Sequence, residues 1–187
     1  MKQSLIKMLL IALSLTLLTT QSFAQEVNKG EIPADHLAKS LTTLPWGVQV
    51  WDIDIALEKL AKDDSCVWID TRPESFFEKG TLRNAILSPY DKTGKEGNML
   101  TADVLAETIS QAGKTKDSAT VVFFCQGPKC HRSYNASYVA VSQWGYDPAR
   151  IAWFRDGYPT TLKKVSTDAK LKRRAKRYLS DAGVDSL

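Results

Sequence analysis

The chain has 187 residues, of which 43% are hydrophobic and 25% charged, and its formal net charge is +4. This length fits one ordinary domain with enough chain to bury a sizeable core. The two signs of charge are close to balance. That argues against a nucleic-acid-binding protein, which would concentrate positive charge to meet phosphates.

The first 24 residues are predicted to be a secretory signal peptide. Lys2 and Lys7 form a positive n-region, residues 9–18 form an apolar run, and Ser22-Phe23-Ala24 offers small residues before a cleavage point. The run is short for a membrane span of about 20 residues, which disfavours the alternative of an uncleaved anchor helix. We therefore expect a soluble periplasmic protein spanning residues 25–187. Its net charge is +2, because both lysines leave with the signal.

The mature chain alternates predicted strands and helices after an N-terminal extension over residues 25–47. Strands are predicted over 48–51, 66–69, 85–87, 121–124 and 151–154. Helices are predicted over 35–41, from Asp52 or Asp54 to about Lys62, and over 73–79, 100–112 and 132–144. The run at 121–124 is wholly apolar, as expected of a central strand covered on both faces. The alternation predicts an α/β domain over residues 48–162, a three-layer sandwich around a mainly parallel sheet.

The tail over residues 163–187 differs in character and predicts a basic amphipathic helix, centred on residues 166–183. Its apolar stripe consists of Leu171, Ala175, Tyr178, Leu179 and Ala182. Its other positions carry Lys170, Lys172, Arg173, Arg174, Lys176 and Arg177. The simpler interpretation is a helix docked on the domain with a solvated basic face. The alternative is attachment to an anionic membrane surface or an acidic partner.

Three cysteines remain after signal cleavage, an odd number that leaves at least one thiol unpaired in an oxidising compartment. Cys66 lies in a predicted buried strand and is interpreted as a small apolar core residue. Cys125 and Cys130 are only five positions apart and invite a chemical explanation.

Cys125 directly follows the predicted central strand, where open α/β sheets bind ligands. We name residues 125–131 the cysteine loop, and a helix is predicted to open after it near Arg132-Ser133. Backbone N–H groups of the loop and the positive helix terminus both favour the Cys125 thiolate. Gly127 lets the backbone curl, while Lys129, His131 and Arg132 add positive charge that would attract a small dianion such as thiosulfate. The predicted substrate-binding residues are Gln126, Gly127, Lys129, His131, Arg132 and Ser133.

This arrangement suits sulfur transfer through Cys125. Its thiolate attacks the outer sulfur of a donor, expels a leaving group such as sulfite, and becomes a persulfide. Cys130 lies two residues before the predicted helix and lacks a following loop of N–H groups, so we interpret it as a resolving thiol or as a bystander. A disulfide between the two cysteines is sterically feasible around Gly127-Pro128. The alternative for Cys125 is a structural cysteine at a strand end.

Several motifs together resemble the rhodanese family over roughly residues 48–162. They are Asp70-Thr71-Arg72, the stretch 76–85, Val122-Phe123-Phe124-Cys125, Arg132-Ser133, Trp144-Gly145-Tyr146 and Phe154-Arg155-Asp156-Gly157. The resemblance implies a sulfurtransferase with Cys125 as its catalytic residue and Asp70 and Arg72 as structural support. It implies an anionic sulfur donor, a thiol or cyanide acceptor, and no cofactor or metal. Three positions depart from the family pattern, namely Thr81 in place of His, Asn84 in place of Gly, and Cys130 at the fifth loop position.

The spacing of Cys125 and Cys130 resembles a periplasmic rhodanese-like subgroup with a paired cysteine in this loop. We expect a monomer with a periplasmic protein partner. The same residues are compatible with other functions. They are a thiol–disulfide redox protein, a sulfur-carrier or binding module, covalent haem at Cys130-His131, a metal site on Cys125, Cys130 and His131, and a phosphatase or arsenate reductase.

Overall fold

A computed structural model of the chain describes residues 31–91 and 98–187. The predicted signal peptide lies outside the described residues. Within the described part of the chain, no helix is long and apolar enough to cross a membrane.

Five parallel strands form one central sheet. They are β1 Gln49–Trp51, β2 Cys66–Asp70, β3 Ile86–Leu87, β4 Thr120–Phe124 and β5 Ile151–Phe154. Their order across the sheet is β1-β5-β4-β2-β3, and every neighbouring pair is parallel. The α/β prediction is confirmed, and β4 lies at the centre as its apolar run predicts.

Helices cover both faces of the sheet. They are α1 Ile53–Lys62, α2 Glu74–Phe77, α3 Ala102–Gln111, α4 His131–Ser142, α5 Gly157–Thr167, α6 Ala169–Lys172 and α7 Asp181–Asp185. Short 3-10 turns occupy Ala34–Leu37, Pro148–Arg150 and Ala175–Arg177. Asp52, one of the two predicted caps, begins α1 by accepting hydrogen bonds from the N–H groups of Asp54 and Ile55.

The alternating side chains of β4 divide the core into two layers. Val121 and Phe123 pack with residues of α3 and α4 on one face. Val122 and Phe124 pack with residues of α1, α5 and the tail on the other. All four side chains are buried, because successive residues of a strand point to opposite faces. The strand before Cys125 is therefore held from both sides.

The tail is not the single helix that the sequence predicts. Helix α5 runs across position 163, and the chain then breaks into α6, a 3-10 turn and α7. Asp168 starts α6 and Ser180 starts α7, each by capping backbone N–H groups. Cations at neighbouring helical positions also repel one another, which disfavours one continuous helix.

The apolar residues of the tail nevertheless dock on the domain, as the simpler interpretation holds. Ala175, Tyr178 and Leu179 are buried in the second core layer, whereas Ala182 is exposed. Leu179 also bridges to Leu82 as an isolated antiparallel pair. The tail therefore completes the core of the domain and is not an appendage.

Candidate active site

Cys125 lies at the carboxyl end of β4 and is 1% exposed. The carbonyl of Phe124, just before it, accepts hydrogen bonds from the Thr71 N–H at 3.1 Å and the Thr71 hydroxyl at 2.8 Å. The carbonyl of Cys125 itself accepts from the Tyr158 N–H at 3.0 Å. Segments that follow β2 and β5 thus hold the peptide groups on both sides of Cys125.

Gly157 allows the closest of these approaches. Its φ is +69°, and a β-carbon there would overlap the Cys125 carbonyl oxygen and lie 2.7 Å from the Gly127 nitrogen. No other residue has a side chain small enough for this position. The turn into α5 therefore packs backbone against backbone on the cysteine loop.

Cys125 and Cys130 form a disulfide, with their α-carbons 6.1 Å apart. Gly127, at φ +143°, curls the loop, and its carbonyl accepts from the Cys130 N–H at 2.9 Å. Cys130 is the N-cap of α4, so the helix begins at His131, one residue earlier than the sequence predicts. Cys130 is half-buried whereas Cys125 is buried, so Cys130 is the more accessible residue of the pair.

The positive charge of the loop is smaller than the sequence predicts. Burial, and then the neighbouring Arg132 charge, lower the pKa of His131, with Asp91 opposing them. The lowered pKa favours the neutral imidazole and so reduces the positive charge that His131 would add, while its role in substrate binding stays a prediction. Arg132 donates to the Tyr90 carbonyl at 2.9 Å and lies 3.7 Å from Asp91, which offsets part of its charge. Lys129 is exposed.

The remaining predicted binding residues differ in placement. Gln126 is half-buried and Gly127 is buried within the loop itself. Ser133 is 1% exposed, and its hydroxyl accepts a hydrogen bond from the Trp153 indole at 3.2 Å. Ser133 therefore faces the sheet and supports the core, and its role in substrate binding stays a prediction.

Asp70 and Arg72 form a buried ion pair beside the loop. The Arg72 Nε lies 2.9 Å and its Nη2 lies 2.6 Å from carboxylate oxygens of Asp70. Arg72 also donates to the Gly80 carbonyl at 2.8 Å and stacks on the Tyr158 ring at 4.5 Å. Thr81, which replaces the histidine of the family pattern, donates its hydroxyl to Asp70 at 2.6 Å. Every buried charge here is thus matched by a partner.

The sequence did not single out three residues that position Cys125, namely Thr71, Gly157 and Tyr158. Thr71 and Gly157 lie inside motifs that resemble the rhodanese family, and Tyr158 directly follows one of them. Their sequence neighbours reveal nothing about the contacts, because Thr71 lies 53 positions from Phe124 along the chain. The one sequence signal was the glycine after Asp156, because a glycine at such a position often marks a turn or a close approach of two backbone segments.

Cys66 stands apart from this site. It begins β2, so it lies at the amino edge of the parallel sheet, whereas Cys125 follows β4 at the carboxyl edge. It is half-buried rather than fully buried, and burial raises the pKa of its thiol to about 12. Cys66 is therefore protonated and a poor nucleophile at neutral pH.

Within residues 31–91 and 98–187, no group of three or more His, Cys, Asp or Glu side chains could hold a metal ion. The two sulfurs of the hypothesised metal site are bonded to each other in this state.

The parallel sheet, with a cysteine and a loop between its central strand and the next helix, defines a class of α/β protein. Comparison with known protein families shows which family of that class this chain belongs to. A rhodanese-like domain model matches residues 55–160, more than half of the chain. The protein therefore belongs to the rhodanese-like domain family, which confirms the resemblance seen in its motifs. No curated protein matches the chain.

Two solved structures are similar to this one at low sequence identity. The BH2092 protein from Bacillus halodurans has 19% identity and a TM-score of 0.45, over 61% of this chain and 71% of that one. The As-Sb reductase from Leishmania major has 16% identity and a TM-score of 0.48, over 64% and 80% of the two chains.

Proposed function

We propose that this protein is a periplasmic sulfurtransferase that carries sulfane sulfur as a persulfide on Cys125. The observation that supports this most is the position of Cys125 at the end of the central strand, with its backbone held by Thr71 and Tyr158. A nucleophile held in this way keeps its orientation without reorganisation during the reaction. Membership of the rhodanese-like family is consistent with this chemistry.

The reaction begins with reduction of the Cys125–Cys130 disulfide by a dithiol, which becomes a disulfide itself. The Cys125 thiolate then attacks the outer sulfur of an anionic donor such as thiosulfate. A new S–S bond forms at Cys125, the donor S–S bond breaks, and sulfite leaves with the bonding electron pair. A thiolate or cyanide acceptor next attacks the outer sulfur and releases the Cys125 thiolate.

Charge in the cysteine loop would assist the first step. The N-terminus of α4, a helix of 12 residues, favours negative charge on the sulfurs next to it. Exposed Lys129 would attract the donor dianion. Arg132, whose charge Asp91 offsets in part, would add to the positive potential of the helix terminus and Lys129.

Intact mass spectrometry tests this proposal. The reduced protein is incubated with thiosulfate, and we expect a gain of one sulfur atom, about 32 Da, as persulfide formation requires. Cys125→Ser should show no gain, and Cys66→Ser, the matched control, should gain sulfur normally. An unchanged mass with thiosulfate, polysulfide and mercaptopyruvate alike would favour a binding module without catalysis.

The disulfide itself favours a second candidate, a thiol–disulfide redox protein. An incoming thiolate would attack the sulfur of Cys130, the more accessible residue of the pair, form a mixed disulfide there, and release Cys125 as the thiolate. Measuring the reduction potential of the pair distinguishes the two functions. A potential near that of known disulfide exchange proteins, about −120 to −270 mV, together with no sulfur uptake, would establish the redox function.

A further inference from the structure

The tail contains an open hollow of about 440 Å³, which we name the tail hollow. Five cations line it, namely Lys172, Arg173, Arg174, Lys176 and Arg177. Ala175 and Val184 supply its apolar lining. It is formed by α6, the following 3-10 turn and α7, so the break in the predicted helix is what creates the concavity.

The cations of the tail hollow have little compensating charge. Within the described part of the chain, their one ion pair joins Lys176 to Asp181 at 3.8 Å, and both side chains are more than 80% exposed. Such an exposed pair contributes little. Lys172 also donates to a main-chain oxygen of Leu187 at 3.0 Å.

The charge of the whole chain is polarised toward this region. Residues 163–187 carry eight Lys and Arg against three Asp, a net charge of +5. Residues 25–162 carry 15 basic against 18 acidic residues, a net charge of −3. Crowded like charges repel one another, and an anionic ligand would relieve that repulsion.

Two kinds of anionic ligand could bind the tail hollow, a membrane surface and an acidic protein segment. Tyr178 and Leu179 are already buried against the domain, so the large apolar side chains of the tail are not free to enter a bilayer, and only Ala175 and Val184 line the hollow. Five exposed cations around one hollow can contact several carboxylates of a single ligand at once. The arginines can bind carboxylates through paired hydrogen bonds, and the apolar lining can receive neighbouring methylene groups.

We propose that the tail hollow is a docking site for an acidic segment of a partner protein. The site is separate from the cysteine loop and does not depend on the sulfur chemistry proposed above. The tail is anchored to the domain, because Ser180 accepts a hydrogen bond from the Thr81 N–H at 3.0 Å and donates its own N–H to the Thr81 carbonyl at 2.9 Å. A partner bound there is held rigidly against the domain.

Fluorescence anisotropy of a labelled peptide rich in Asp, Glu and Leu tests the proposal, with a peptide carrying Asn and Gln at the acidic positions as the ligand control. The purified protein should bind the acidic peptide in a salt-dependent manner. A variant with Arg173→Ser, Arg174→Ser and Arg177→Ser should lose at least about tenfold in affinity, since three charge-assisted contacts disappear. The matched control carries Lys163→Ser, Lys164→Ser and Lys170→Ser, which removes equal charge from exposed positions outside the hollow and should change affinity less than about twofold.

Several results would overturn the proposal. Equal losses in the two triple variants would mean that only overall charge matters. Binding to vesicles of phosphatidylcholine and phosphatidylglycerol, without binding to the peptide, would indicate a membrane surface instead. The absence of binding to either probe would exclude an acidic ligand. Sulfur uptake from thiosulfate is measured in parallel and should be equal in all three proteins, so a failure here is distinguishable from a failure of the sulfurtransferase proposal.

Discussion

Gly157 lies against the carbonyl of Cys125, and the N–H group of the next residue, Tyr158, donates to that carbonyl at 3.0 Å. The turn after β5 thus sets the position of the residue after β4. Strands β4 and β5 are hydrogen-bonded neighbours, so both segments emerge at the same edge of the sheet.

Replacing Gly157 by Ala should displace the cysteine loop. The added β-carbon meets the Cys125 carbonyl and the Gly127 nitrogen, and the positive φ is unfavourable for alanine. We expect a loss of about 2–4 kcal/mol in the free energy of unfolding, from strain and overpacking together, and slower sulfur uptake. Urea denaturation and single-turnover mass spectrometry measure the two effects.

Gly113→Ala is the matched control for that variant. Gly113 has nearly the same φ, +71°, but nothing lies within 4 Å of its would-be β-carbon. It should cost only the backbone term, about 1–2 kcal/mol, and leave sulfur uptake unchanged. Equal effects of the two variants would show that the contact with the loop is unimportant.

The two loop cysteines should respond differently to oxidation. Cys130→Ser should keep sulfur uptake under reducing conditions, because Cys125 and the loop backbone remain. Treatment with oxidant should inactivate the wild-type protein reversibly through the Cys125–Cys130 disulfide. The Cys130→Ser variant should instead overoxidise or form mixed disulfides at Cys125, which mass spectrometry resolves. If Cys130→Ser loses uptake and Cys125→Ser retains it, Cys130 is the nucleophile.

The hydroxyl of Thr81 should contribute to stability through Asp70. Thr81→Val removes the donor at 2.6 Å from a buried carboxylate and should cost about 2–3 kcal/mol, as measured by urea denaturation. Thr81→Ser keeps the hydroxyl and loses one methyl group, so its cost should be about 1 kcal/mol. A serine variant less stable than the valine variant would mean that packing, not the hydrogen bond, dominates at this position.

His131 should make the protein less stable in mild acid. The folded state holds the pKa of His131 below its ordinary value of 6.5, so the unfolded chain takes up a proton first as the pH falls. The stabilising contribution is complete above the unfolded pKa and is lost as the pH falls through the folded pKa. Urea denaturation at about pH 7.5 and about pH 5.5 should show a smaller loss for His131→Gln than for the wild type. Equal losses would place the pH sensitivity in other groups.

The sequence was sufficient for the layout of the domain. The apolar run before Cys125 and the periodicity of the following helix are local signals, and they predicted a central strand, a loop and a helix in the observed order. All five strands also appear where the alternation of strands and helices placed them, because burial on both faces of a sheet leaves a pattern within each short segment.

Other features depended on contacts between distant parts of the chain. The sequence predicted one tail helix, but the structure breaks it at Asp168 and again before Ser180, where capping and docking on residues 81–83 compete with helical continuation. The sequence assigned positive charge to His131 and a substrate role to Ser133. Burial, which neighbours along the chain do not reveal, lowers the pKa of the first and gives the second a partner in the core.

The sequence by itself determined that a cysteine would follow a central strand, since strand, loop and helix signals are all local to residues 121–144. Only the tertiary structure decided which groups hold the backbone around Cys125. These groups are the Thr71 hydroxyl, the turn at Gly157 and the Tyr158 N–H. It also decided that Cys130 caps α4 and bonds to Cys125. The physical reason is that parallel strands bring their following turns together at one edge of the sheet, and this proximity has no signature in the local sequence.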